Sequence, residues 1–360
     1  MDEVRIGAPT EFRQALLVRL LSFLWRQWSS LGVLGESGSE DEWVIDPEAL
    51  LVFSLEMARY EPRLFDEILA WLVVNGDRLD TARMKNLVAK QGVAAARVVG
   101  GALQWSADKK KEHERKWRSI LEQCGTMCAL KASKDSADIL FREKSGKPHP
   151  RSGGDRRDAS FALFHVDRPR VGGLKEAKAV PVNGRANLRF LLRPLFGSGA
   201  KSEAILYLLT HEGGGPRDIA ESVGLYWLSM QQALQELSRS GLVLTRYKGK
   251  RLEYYLFQKK WWEFLAAADY EAGGAPRWLD WVAIFAALSA GWRAVDELAE
   301  SGESDYMKSS RLRDSFEVLG REFARAGCDV SGMPRAGLPG DLYQKMSLRF
   351  LGDVFAVSGE

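Results

Sequence analysis

The stretch GLYWLSMQQALQELSRSGLVLTRYKGKRLEYYLF, residues 224–257, contains the most informative pattern in this chain. Apolar residues recur in its first half at helical spacing: Met230, Ala233, Leu234 and Leu237. Gly224 precedes this segment and Gly241 follows it, and glycine is the residue expected at a tight turn and at a helix end. The pattern therefore predicts a helix that buries one face, preceded by a turn.

The second half of the stretch predicts a β-hairpin. Residues 242–247 and 252–257 alternate between apolar and polar side chains, as half-buried strands do. The residues KGKR separate them, and Gly249 is free to adopt the positive φ that a tight hairpin turn needs.

Two shorter helices are predicted upstream. SEAILYLLTHEGGG (202–215) is an apolar helical pattern that ends in glycines, and GPRDIAESVG (215–224) has Pro216 in a position suited to the first turn of a helix. The predicted order is thus helix, helix, turn, helix and hairpin.

This order resembles the winged helix-turn-helix of ArsR- and MarR-type bacterial transcription regulators over residues of about 188–260. The family cadence G-L-x5-V-x3-L-x2-L-x3-G-L-V has these counterparts here: Gly224, Leu225, Met230, Leu234, Leu237, Gly241, Leu242 and Val243. Met230 replaces a β-branched residue. Upstream, LFGSGAKSEAILYLL (195–209) is similar to the lead-in of winged-helix modules found in, or encoded beside, small nucleotidyltransferases.

The resemblance implies a regulator that binds double-stranded DNA at an operator and reads two half-sites as a homodimer. The first turn of the third helix would enter the major groove. In that register its outward residues are Tyr226, Trp227, Ser229, Gln231, Gln232 and Gln235. The residues expected at phosphates are Arg246, Lys248, Lys250 and Arg251 of the hairpin, with Arg217 and Lys201 nearby.

A second interpretation belongs to a different class of function. Winged helices also dock proteins, and an interaction or antitoxin-like module would use its winged helix to bind a protein partner such as a nucleotidyltransferase. Trp227 and Leu228 would then contact that partner. The third helix has no Arg or Lys before Arg239, which is unusual for a strong reader of DNA sequence.

Outside the central stretch, helical patterns dominate, and the expected class is mainly α. We predict a helical N-terminal domain (1–130), a basic Gly- and Pro-rich linker (131–187), the winged helix-turn-helix (188–262) and a helical C-terminal domain (263–360). FALFHV (161–166) is the strand candidate within the linker. The apolar helix around 16–31 and the Trp-rich residues 276–285 are the candidate dimer seams.

Charge is unevenly distributed along the 360 residues. The net charge is +3 overall, but it is −4 for residues 1–103, +11 for 104–201, +2 for 202–260 and −6 for 261–360. A basic middle between acidic ends suits a protein that meets a polyanion, and it equally suits a solvated basic linker.

Composition indicates a globular protein of a reducing compartment. Hydrophobic residues make up 46% and charged residues 28% of the chain. Three cysteines cannot build a disulfide framework, so we expect the cytoplasm. The sequence contains no apolar run of membrane-spanning length and no visible secretory signal, and we expect no membrane partner.

Enzymatic chemistry is not indicated. The sequence lacks the nucleophile elbow, the zinc-protease helix, the phosphate-binding P-loop and the dinucleotide fingerprint, so we predict no catalytic residue and no cofactor. Cys124 and Cys128, with His113 a few turns earlier, are the candidate metal ligands. A structural zinc site needs four ligands, so we interpret them as inert cysteines and predict no metal site.

Overall fold

The computed structural model of the chain describes residues 9–33, 43–130, 137–149, 157–170, 177–182, 184–266 and 276–355. The structure is 69% helix and 7% strand, which confirms the mainly helical class. The N-terminal helices are α1 (Pro9–Ser30), α2 (Pro47–Met57), α3 (Pro62–Asn75), α4 (Thr81–Gln91), α5 (Val93–Lys109) and α6 (Lys111–Leu130).

Aspartates define the starts of two of these helices. The Asp46 side chain accepts a hydrogen bond from the Ala49 amide of α2 at 3.1 Å, and Pro47 occupies the first helical position. The Asp80 carboxylate accepts from the amides of Ala82 and Arg83 in α4. These caps satisfy amides that have no partner inside their helix.

Elements of the predicted linker pack on α5. β1 (Asp138–Ile139) pairs in parallel with β2 (Val166–Asp167), and α7 (Ala159–Ala162) lies between them in sequence. Of the strand candidate 161–166, only Val166 lies in a strand, as the first residue of β2. The first residues of the candidate belong to α7, which the Asp158 side chain caps through the Ser160 amide. Residues 131–136, 150–156, 171–176 and 183 of the linker lie outside the described residues.

The central region contains α8 (Leu188–Phe196), α9 (Ala200–Thr210), α10 (Pro216–Val223), α11 (Trp227–Arg239), β3 (Leu244–Lys248), β4 (Arg251–Tyr255) and α12 (Gln258–Ala266). β3 and β4 form the predicted antiparallel hairpin, with Lys248 opposite Arg251 and Gly249 at a φ of +64° in the turn. Gly214 makes an isolated antiparallel bridge to Tyr254 of β4. These elements share a small hydrophobic core that includes Leu206, Ile219 and Leu234.

The C-terminal helices are α13 (Trp281–Glu300), α14 (Asp305–Arg325) and α15 (Gly340–Phe355), and they pack with the N-terminal helices. The Phe23 ring of α1 lies 4.2 Å from the Phe355 ring and 5.8 Å from the Trp281 ring, centroid to centroid. The regions predicted as separate N- and C-terminal domains therefore contribute to one hydrophobic core.

That shared core occupies both predicted dimer seams. The Leu17 and Leu24 side chains of α1 are fully buried, and those of Trp281 and Phe285 are 3% and 2% exposed. The apolar face of α1 and the Trp-rich residues 276–285 thus pack against each other within one chain. Neither is available to a second copy.

Candidate nucleic-acid interface

Helix α11 buries the face predicted from the sequence. Met230 and Leu234 are fully buried, and Ala233 and Leu237 are nearly so. On the opposite side Ser229, Gln232 and Gln235 are exposed, whereas Gln231 is half-buried. The buried apolar face holds α11 in place. The side chains of its exposed polar face can therefore reach a ligand without rearrangement of the core.

The first turn of α11 carries the aromatic pair noted in the sequence. Tyr226, the residue before the helix, is 58% exposed, and Leu228 is 47% exposed. Trp227 is half-buried, and the Arg217 guanidinium of α10 lies 5.2 Å from the centre of its ring. Arg217 is exposed, so it extends from this aromatic surface toward solvent.

Intramolecular bonds already engage part of the exposed face of α11. The Gln232 amide donates to Glu236 at 3.0 Å, and the Lys201 ammonium lies 2.8 Å from the same carboxylate. These hydrogen bonds from Lys201 and Gln232 lower the pKa of Glu236, which keeps this acid ionised. Sequence reasoning did not include Glu236, whose negative charge opposes an approaching phosphate.

Cationic side chains cluster at the tip of the hairpin. Lys248, Lys250 and Arg251 are exposed around the Gly249 turn, and the Lys248 ammonium lies 3.9 Å from the Glu253 carboxylate. Arg246 is less available, because its guanidinium lies 3.2 Å from the Glu253 carboxylate and also donates to the Glu212 carbonyl. Three cations at a hairpin tip suit contacts with phosphates.

The turn between α10 and α11 is held by the N-terminal helices. Gly224 ends α10 with a φ of +69°, a conformation that favours glycine. The Arg83 side chain of α4 donates to the Val223 carbonyl at 2.6 Å, and the Asn86 amide donates to the Gly224 carbonyl at 3.2 Å. Carbonyls that have no partner within α10 thus accept hydrogen bonds from side chains of α4, and these bonds fix the position of α11.

Arg83 also belongs to a closed ring of six buried charges, which we call the ion ring. Around it, carboxylates and guanidiniums alternate: Asp46, Arg83, Glu48, Arg193, Glu203 and Arg189. Arg193 lies 2.7 Å from Glu48 and 3.0 Å from Glu203. All six side chains are at most 4% exposed. The ion ring has no net charge and joins α2, α4, α8 and α9.

Burial and pairing act in opposite directions on these carboxylates. Burial by itself would raise the pKa of Asp46, but Arg189 and Arg83 outweigh it, and the pKa lies below its usual value. The pKa of Glu48 is lowered in the same way, by Arg193 and Arg83 against burial. Both carboxylates are therefore ionised at neutral pH, which the ring geometry requires.

The cysteine and histidine candidates are buried separately from this surface. Burial raises the pKa of the Cys124 thiol to about 12, and Cys128 is 2% exposed. The His113 ring shares a hydrogen bond of 2.7 Å with the Ser106 hydroxyl, and burial lowers its pKa to about 4. Within the described ranges, no three His, Cys, Asp or Glu side chains are grouped as metal ligands.

Comparison of the chain with protein-family models, curated proteins and solved structures gives no match. None of the helices in the described part of the chain combines the length and apolar character needed to cross a bilayer.

Proposed function

We propose that this protein is a DNA-binding transcription regulator that acts through a winged helix-turn-helix over residues 188–262. The observation that carries the proposal is the exposed cationic hairpin tip. It directly follows a helix that buries one face and exposes Ser229, Gln232 and Gln235 on the other. The bridge from Gly214 to Tyr254 supports it, because it ties the segment before α10 to the hairpin as a compact wing would require.

In the proposed complex, α11 enters the major groove with its first turn, and the hairpin follows the phosphate backbone. Ser229 and Gln235 face base edges, while Gln232 first exchanges its bond to Glu236 for a base contact. Arg217 and the hairpin tip supply phosphate contacts. Since α11 has no basic residue before Arg239, the affinity derives mainly from the hairpin and the sequence specificity is modest.

We further propose a homodimer formed through an exposed apolar surface beside α12, which we call the α12 surface. It lines two adjoining grooves, with cavity volumes of about 380 Å³ and 590 Å³, and its main residues are Leu195, Phe196, Leu242, Phe257 and Phe264. Phe257 and Phe264 are 58% and 56% exposed, and adjoining exposed apolar side chains are a candidate interaction surface.

Charge on α12 favours a second copy as the occupant. Lys259 and Lys260 lie in the first turn of the helix and Glu263 lies one turn later, all exposed and without an ion pair to any described residue. A two-fold axis level with Trp261, near the middle of α12, would run two α12 helices antiparallel and place the lysines of each copy opposite Glu263 of the other. The surface is thus complementary to itself in both apolar area and charge.

A protein partner is the alternative function, and one observation favours it. Tyr226 and Leu228 form an exposed apolar pair at the start of α11, where a DNA reader usually has polar side chains. A docking module would depend on Leu228 and would be indifferent to the hairpin cations.

The test is equilibrium binding of a fluorescent DNA duplex at several NaCl concentrations. Replacing Lys248, Lys250 and Arg251 by Ala is expected to weaken binding by about tenfold or more and to reduce the slope of log K against log salt by about 2 to 3. A matched control removes three exposed cations from α14 and α15: Arg321, Lys345 and Arg349.

The control variant is expected to bind as the parent does. Absence of salt-sensitive binding by the parent, or equal binding by both triple variants, contradicts the regulator proposal. Leu228→Asp separates the two alternatives further. If this variant loses a protein complex that the hairpin variant still forms, the result favours protein docking.

A further inference from the structure

A polar pocket lies beside α5 and β1, and its lining includes none of the residues used in the proposed function. Its cavity volume is about 420 Å³, and it is lined by Arg97, Ala137, Asp138, Ile139, Arg142, Gly146 and Pro148. A volume of this order is that of a site for a small molecule.

Arg97 is the unusual member of this lining. Its side chain is half-buried, and its Nε atom is fully buried without a hydrogen-bond partner. No hydrogen bond or ion pair joins Arg97 to any residue that the structure describes. The Cys128 thiol is near enough to feel its charge, but burial raises the pKa of Cys128, so this thiol is neutral at pH 7 and cannot balance a guanidinium.

The carboxylate in the lining is already shared. Asp138 accepts a hydrogen bond from Arg59 at 2.8 Å, and the Arg142 guanidinium lies 3.6 Å from the same oxygen. The lining thus contains the two guanidiniums of Arg97 and Arg142 and the single carboxylate of Asp138, so it carries an excess of positive charge. The buried Nε–H group of Arg97 costs stability, because this donor loses water without gaining an acceptor.

The wall that carries these groups is fixed in position. Arg59 donates to the carbonyls of Ile139 at 2.7 Å and Leu140 at 3.0 Å, and the Arg142 amide donates to the Arg59 carbonyl at 2.9 Å. The guanidiniums thus extend from an anchored backbone, and a ligand would not have to order the segment first.

We propose that this pocket binds a small molecule through an oxyanion, a phosphate group or a carboxylate, held by Arg97 and Arg142. A planar guanidinium offers paired donors that match two oxygens of either group. The oxyanion supplies the acceptor that Arg97 lacks and neutralises the excess charge. This site does not depend on the proposed DNA binding.

Thermal unfolding of the full chain tests the proposal, with inorganic phosphate and citrate as probes and NaCl at equal ionic strength as reference. At least one probe is expected to raise the Tm of the parent saturably, by about 2 °C or more. A rise with phosphate alone assigns a phosphate group, and a rise with citrate alone assigns a carboxylate.

Arg97→Met is expected to weaken binding of the active probe by about tenfold or more in calorimetry, with a ligand-free Tm equal to or above that of the parent. Arg118→Met removes an exposed arginine from neighbouring α6 and is expected to leave binding unchanged. No rise with either probe, or an unchanged affinity in Arg97→Met, overturns the proposal. If Arg97→Met does not fold, Arg142→Met takes its place with the same expected loss.

Discussion

Two adjacent glycines decide how α5 packs against α7. A Cβ atom on Gly101 would lie 2.4 Å from the Phe161 ring, and one on Gly100 would lie 2.4 Å from the Phe164 ring. Phe161 is fully buried, so its ring cannot move away from an added methyl group. The cost of glycine inside a helix is thus offset by the close approach of two aromatic rings.

Gly101→Ala is expected to destabilise the fold by about 1 to 3 kcal/mol, because the new methyl group overpacks the Phe161 site. The matched control is Gly125→Ala in α6, where a Cβ atom would meet nothing within 4 Å. That control is expected to gain up to about 1 kcal/mol from helix propensity. Urea denaturation measures the change in the free energy of unfolding of each variant relative to the parent. A change of the same sign in both variants contradicts the packing argument.

At the scale of elements, the ion ring joins the N-terminal helices to the region that carries α11. Its carboxylates lie at the start of α2 and in α9, and its arginines lie in α4 and α8. Arg83 in addition bonds the Val223 carbonyl, so one side chain connects the ion ring to the turn before α11. The orientation of the candidate DNA-binding helix therefore depends on a buried contact between regions.

Arg83→Met is expected to cost about 3 to 5 kcal/mol of unfolding free energy, because it leaves Asp46 and Glu48 buried without their shared partner. Arg325→Met is the control: it breaks an exposed pair with Glu322 and is expected to cost less than about 1 kcal/mol. Chemical denaturation followed by circular dichroism compares them. A loss in Arg83→Met as small as the control would mean that the ion ring does not stabilise the fold.

For the whole molecule, the question is which apolar surface remains once the chain has folded. Both predicted dimer seams are buried in the shared core of the N- and C-terminal helices, whereas the α12 surface is exposed. A surface of this kind is expected to find a partner in solution.

Light scattering is expected to give a mass of twice the 40.3 kDa of one chain. Phe264→Glu places a charge in the centre of the α12 surface and is expected to yield the monomer. Tyr306→Glu, at an 80% exposed aromatic residue of α14, is the matched control and is expected to keep the parent mass. A parent of monomer mass, or a Phe264→Glu variant that stays dimeric, contradicts the assignment of this surface.

The local patterns of the sequence were sufficient for the mainly helical class, for the buried face of α11 and for the hairpin with Gly249 in its turn. Each of these depends on residues a few positions apart, and periodicity and turn chemistry report that range directly. The strand candidate over 161–166 is a strand only at Val166, because Phe161 and Phe164 pack against α5, some sixty residues earlier in the chain.

The ion ring had only a weak signal in the sequence: Arg189 and Arg193 stand four apart in an apolar helix, and Glu203 stands in an apolar run. Such residues indicate buried charge but do not identify their partners. Glu203 pairs with both arginines nearby in the chain, but Asp46 and Glu48 come from more than one hundred residues away. The unpaired Arg97 had no signal at all, since an arginine on a helix is ordinarily solvated.

The sequence by itself therefore determined the mainly helical class, the hairpin and the exposed polar face of α11, because helix and hairpin formation are governed by neighbours along the chain. Only the tertiary structure decided that the outer helices share one core, that six charges close a ring behind α11 and that Arg97 lacks an acceptor. These features depend on which side chains from distant parts of the chain come into contact when it folds. Burial then raises the free-energy cost of a charge that has no partner.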